Sequence, residues 1–61
     1  MKVREVVRML QDNGWYQVRM KGSHRHFKHN LKPGLVTVSG NPGKELATGT
    51  LGSIFKQAGL K

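Results

Sequence analysis

The segment Gly22-Ser23-His24-Arg25-His26-Phe27-Lys28-His29-Asn30 gathers all three histidines of a 61-residue chain into six positions, with Arg and Lys between them. Three chemistries use such a set. A metal site needs ligands that converge on one point, usually with a carboxylate or thiolate to complete the shell. A phosphate-gripping patch needs fixed positive charge, which Arg and Lys supply and neutral imidazole does not. An acid–base centre needs a group that gains and loses a proton near neutral pH. Imidazole, with an ordinary pKa of about 6.5, is the side chain best suited to that.

Which of these applies depends on the elements that position the ring nitrogens. Ahead of the cluster, Val3, Val6, Val7 and Leu10 recur at i, i+3, i+4 and i+7. That spacing predicts an amphipathic helix from Lys2 to Asn13, stopped by Gly14 in a left-handed C-terminal position. Trp15 to Lys21 is rich in strand-favouring residues, Gly22-Ser23 makes a short turn, and His24 to Asn30 reads as a second strand. Leu31-Lys32-Pro33-Gly34 is a turn signal before a third strand, Leu35 to Ser39. A loop beginning at Gly40-Asn41-Pro42-Gly43 leads to a last helix capped by Thr48 or Thr50, with Leu51, Ile54, Phe55 and Ala58 on one stripe and Gly59 at its end. The expected architecture is α+β, in the order α-β-β-β-α. Both helices lie on one face of a three-stranded antiparallel sheet, because two single-striped helices bury their apolar sides only in that way. Residues 1–61 form one domain.

Strand alternation then sorts the cluster. With Phe27 turned toward the helices, Arg25 and His29 share its side, and His24, His26 and Lys28 occupy the open face. Val36 and Val38 are expected inside, with Thr37 and Ser39 outside. In the first strand Val18 and Met20 are expected to face the core and Gln17, Arg19 and Lys21 to face outward, giving a cationic surface without a large apolar group. A slip of one residue would expose Phe27, losing roughly 1.5–3 kcal/mol of burial. This division separates His29 from the other two histidines, and no acid lies nearby in sequence, so no metal site and no cofactor is expected. His24 and His26 stand about 6.6 Å apart, a separation that can flank a phosphodiester. A histidine there could take a proton from a ribose 2′-hydroxyl while a neighbouring cation steadies the phosphorane. Ser23 has no acid placed to complete a triad, which argues against a serine nucleophile. Trp15 and Phe27 read as core, and Tyr16 is the better candidate for an exposed aromatic.

Charge points the same way. Eleven Lys and Arg against three acids give +8, and the acids, Glu5, Asp12 and Glu45, leave the span from Asn13 to Lys44 with none. A one-signed field of that kind attracts phosphate polyanions, so nucleic acid leads the candidate partners. A chain of this size buries only about 60% of its unfolded surface. With no cysteine it has no disulfide to compensate. No apolar run is long enough to span a bilayer and the opening residues lack a signal-peptide core, so the chain is expected to be soluble and cytoplasmic. On composition and spacing alone, a non-catalytic RNA-binding module and a histidine-dependent ribonuclease stand level.

A resemblance separates them. Asn13-Gly14-Trp15, Arg19-x-Lys21-Gly22-Ser23-His24, Val36-Thr37-Val38, Gly43-Lys44-Glu45-Leu46, Gly49-Thr50-Leu51, Ser53-Ile54 and Gln57-Ala58-Gly59-Leu60 follow one another in the order found in HicA toxins. The chain resembles that family over nearly its whole length. The resemblance implies a double-stranded-RNA-binding-domain-like fold, an mRNA interferase activity that arrests translation and growth, and neutralisation by a HicB antitoxin. It implies that His24, in Gly-Ser-His, is the essential catalytic histidine. Arg19, Lys21, Gly22, Ser23, His26, Lys28 and Lys44 are the expected RNA-binding residues; for His26 this rests on the face argument alone. Two departures stand out: Ser39-Gly40-Asn41 where many relatives carry Pro-x-His, and Gly52 where Arg is common.

Overall fold

A computed structural model describes residues 1–60. Its elements are α1 (Val3–Asp12), β1 (Trp15–Lys21), β2 (His24–His29), β3 (Val36–Ser39) and α2 (Thr48–Gln57). The strands form an antiparallel meander in the order β1-β2-β3. This is the expected α-β-β-β-α arrangement of the double-stranded-RNA-binding-domain kind.

Each element follows from local chemistry. At the start of α1 the Glu5 carboxylate accepts the Lys2 backbone N–H at 2.7 Å, satisfying a donor that the first helical turn leaves unpaired. Asn13 ends the helix, and Gly14 takes φ 91°, which places the chain for β1. At the start of α2 the expected threonine cap is absent: Ala47 is the N-cap and Thr48 is already helical, with no side-chain cap bond. Leu46 and Leu51 instead occupy the N′ and N4 positions of a hydrophobic staple, Leu46 within the core cluster and Leu51 packed against it. Burying Leu46 thus sets where the helix begins.

Val3, Val6 and Leu10 of α1, Ile54 of α2 and Ala58 just after it meet Trp15, Phe27, Val36 and Val38 of the sheet, all buried. Both helices therefore lie on one sheet face. Trp15 buries its indole with Nε1 as the one buried side-chain polar atom lacking a hydrogen bond among the described residues. Packing alone holds the ring. The loop before α2 is tied to the start of α1 by a Lys2–Glu45 bridge, by the Val3 N–H donating to the Lys44 carbonyl at 2.9 Å, and by an ion pair of 2.7 Å between the Met1 ammonium and Glu45. The hydrogen bond from that ammonium, and then its charge, lowers the Glu45 carboxyl below its ordinary pKa, with a smaller contribution from Lys2.

Strand β1 departs from simple alternation. Gln17 pairs with Phe27 and Arg19 with His26, so Val18 is an extra residue opposite no partner, a β-bulge. Gln17 therefore shares the helix side with Phe27, while Val18 stands 48% exposed instead of in the core. Met20 pairs with Arg25 on the helix side, yet it lies at the sheet margin and is 52% exposed. The expectation that Val18 faces the core and Gln17 faces outward is corrected by this register; Met20 is on the helix side as expected but is not buried. Val36 and Val38 are buried, as the alternation of β3 requires.

Candidate functional site

The hairpin that carries His24 is made by two loop residues, Gly22 and Ser23, between the paired Lys21 and His24. Gly22 has φ 59°, a positive value at the first loop position, where a side chain would be strained. Nothing lies within 4 Å of where a Cβ would sit, so the backbone at the tip is open to an approaching chain. Ser23 anchors the turn to the end of β3 through its carbonyl, which accepts the Gly40 N–H at 3.1 Å. The hydroxyl does not make that contact.

Cross-strand partners share a face, so the register defines the open surface as a set of rungs. Lys21, His24 and Ser39 form the first, Arg19, His26 and Thr37 the second, and Tyr16 and Lys28 the third. His24 is exposed, with Lys21 directly across one strand boundary and Ser39 across the other. His26 is half-buried, and its Nδ1 is hydrogen-bonded to Thr37 Oγ1 at 3.0 Å, which fixes the ring. Val18, Arg19, His26, Lys28 and Leu35 line a cleft of about 350 Å³ on this surface. The surface is therefore not free of large apolar groups as expected: Val18, which follows the helix-side Gln17, reaches it, and Leu35, 45% exposed, lies just before β3. Tyr16 is also exposed here, its hydroxyl 3.3 Å from Asn30 Oδ1.

Arg25 and His29 occupy the helix side. Arg25 donates from Nη1 to the Gly40 carbonyl at 2.8 Å. It also lines a separate groove of about 380 Å³ against α1, away from the histidine row. His29 stacks edge-on against Trp15, with ring centroids 5.3 Å apart. Its Nδ1 accepts the Leu31 N–H at 3.0 Å and its Nε2 lies 2.9 Å from the Asn13 carbonyl, two bonds that the neutral Nε2–H tautomer satisfies together. His29 is a structural clasp between the end of α1 and the loop after β2.

Of the eight residues expected at the site, Arg19, Lys21, Gly22, Ser23, His24, His26 and Lys28 come together on the open face and its hairpin tip. Lys44 is not on these strands: it lies in the loop tied to α1, with its side chain beside Gly40, whose N–H is bonded to Ser23 of the hairpin tip. Val18 was not legible as a surface residue, because it was expected to face the core together with Met20; Leu35 has the outward phase of Thr37 and Ser39, and its place on this surface agrees with the alternation of β3. Among the described residues, no three His, Cys, Asp or Glu side chains are grouped as metal ligands would be, and no helix is long and apolar enough to cross a membrane.

Chemically, the surface offers an accessible imidazole beside an ammonium, a second imidazole held by a hydroxyl, and further cations along the same strand pair. That combination can bind a phosphate chain and exchange a proton with it. Residues 3–60 match the family model described as HicA toxin of bacterial toxin–antitoxin. No curated protein matches the chain.

Proposed function

Because the chain belongs to the HicA toxin family of bacterial toxin–antitoxin systems, we propose that it is an endoribonuclease of the mRNA interferase type, with His24 as its acid–base residue. The observation that carries this reading is the exposure of His24 on a sheet face whose nearest cross-strand neighbour is Lys21. The RNA strand lies along the open face with its phosphates toward Arg19, Lys21 and Lys28, while the Gly22-Ser23 tip admits its backbone closely. His24 takes the proton of a ribose 2′-hydroxyl, and that oxygen attacks the adjacent phosphorus. The Lys21 ammonium offsets the charge gathering on the phosphorane oxygens. The P–O5′ bond then breaks, and the 5′ oxygen leaves with a proton from the solvent that reaches this open surface. The products are a 2′,3′-cyclic phosphate and a 5′-hydroxyl.

The reaction asks nothing of a metal, and the donor set on the open face, two imidazoles without a carboxylate or thiolate, fits metal-independent chemistry. Lys44 adds positive charge near the start of α2 and contributes to RNA binding at longer range. An acidic HicB-like antitoxin neutralises the protein by covering the cationic face, where charge complementarity favours rapid association. The cytoplasm, where mRNA and the antitoxin meet, is the site of action.

The test is product analysis. RNA incubated with the protein in EDTA should yield 2′,3′-cyclic phosphate ends, and the same oligonucleotide with a single 2′-deoxyribose 5′ to the cut should resist cleavage at that position. Cleavage at the deoxy position, or products ending in a 3′-hydroxyl, would contradict the reading. Salt-sensitive binding with no scission at all would instead support a non-catalytic RNA-binding module.

A further inference from the structure

Resting on the proposal that RNA lies along the open face, we infer that the cleft lined by Val18, Arg19, His26, Lys28 and Leu35 is a nucleobase subsite that holds one unstacked base of the RNA beside the phosphate at His24. The cleft lies where the bulge in β1 sets Val18 and Arg19 side by side on the open face. Gln17 pairs with Phe27 on the helix side, so Val18 after it faces outward, and the bulge sets Arg19 on the same face beside it. Leu35, placed just ahead of β3, supplies the other apolar wall. Both side chains are about half exposed, at 48% and 45%, and nothing in the described fold covers them.

The mixture of walls selects the occupant. A purely phosphate-binding surface gains nothing from Val and Leu, whereas an uncharged lipid or an apolar peptide gains nothing from Arg19, His26 and Lys28. A nucleotide needs both, because its base has flat apolar faces and a polar edge and its phosphate carries charge. The volume, about 350 Å³, is at the small end of ligand pockets, suited to one base with its sugar. The Thr37 hydroxyl holds His26 by Nδ1 and leaves Nε2 as the ring's remaining polar atom for the base edge. His26 lies two residues from His24 on the same strand face, about 6.6 Å along β2, comparable to one nucleotide step of an extended chain. A base in the cleft thus sets which phosphate reaches His24, and the cleft determines cleavage-site preference.

The experiment is a coupling measurement by fluorescence anisotropy. A ten-nucleotide RNA carrying one abasic position, moved along the strand, is titrated with His24→Ala protein and with the same protein carrying Val18→Ala and Leu35→Ala. Both changes are at exposed positions, and thermal unfolding confirms that the fold is retained. One abasic position should weaken binding by about tenfold in the protein with the intact cleft. That position should have little further effect once the cleft is truncated. Equal sensitivity of both proteins to the abasic site, or no sensitive position, overturns the subsite. Wild-type cleavage is read separately. Cutting without coupling removes the subsite and keeps the nuclease, coupling without cutting does the reverse, and absence of binding removes both.

Discussion

Replacing Phe27 by Ala tests the face assignment on which the site depends. Phe27 is fully buried between Gln17 of β1 and Val36 of β3, at the centre of the helix-side surface of β2. Truncation of a buried Phe costs about 3–5 kcal/mol in lost transfer energy and residual cavity. A 61-residue chain has a total stability on the order of 3–9 kcal/mol, from about 0.05–0.15 kcal/mol per residue. Phe27→Ala should therefore remove at least about a third of the stability, and all of it at the lower end of that range, while Phe27→Leu, which keeps most of the volume, should lose only about 1–1.5 kcal/mol. Lys28→Ala, one residue on and exposed on the opposite face, should change stability by no more than about 0.5 kcal/mol. Urea titration followed by the fluorescence of Trp15, the only tryptophan and a ring held by packing alone, reads all three. Similar losses for Phe27→Ala and Lys28→Ala would mean that β2 does not present alternate faces to core and solvent, and the exposed position of His24 would lose its basis.

Other consequences concern the frame around the site. Gly52 lies inside α2 with open space for 4 Å around the point a Cβ would occupy, so Gly52→Ala should raise stability by about 0.5–1 kcal/mol in the same titration. At Gly14 the outcome reverses. With φ 91°, an added Cβ would stand 2.7 Å from His29 Nε2, so Gly14→Ala should cost about 1–2 kcal/mol and shift the emission of Trp15, which the His29 ring touches. The Glu45 carboxyl, lowered by the Met1 ammonium, contributes stability above the ordinary carboxylate range that is lost as pH falls through its lowered value. The gap in urea midpoint between wild type and Glu45→Gln should accordingly narrow and close on acidification; a gap unchanged at low pH would refute the role of that ion pair.

Much of the fold could be read directly. The apolar period of α1, the span of β1 and the placing of His24, His26 and Lys28 opposite Phe27 all follow from side-chain periodicity, since a helix or strand that buries one face leaves little choice of phase. The bulge was hidden because the residues from Trp15 to Lys21 contain neither Gly nor Pro to mark an irregularity, and the extra residue is identified only by the pairing with β2. Its consequence reaches function: Val18, expected inward, lines the cleft next to His26 together with Arg19 and Leu35. The threonine cap of α2 failed for a similar reason. Burial of Leu46 is a tertiary demand, and it outweighed a local capping preference. Charge alone groups Lys44 with the other cations, but only the folded loop, tied to α1 with the Lys44 side chain beside Gly40, shows by what route it comes near the hairpin tip.

The most direct measurement is single-turnover cleavage of a labelled RNA by His24→Ala alongside its binding affinity. Cleavage should drop by at least about a hundredfold, as removal of an acid–base group does, with affinity changed less than about threefold because the cations of the face remain. Undiminished cleavage by the variant would contradict the role assigned to His24.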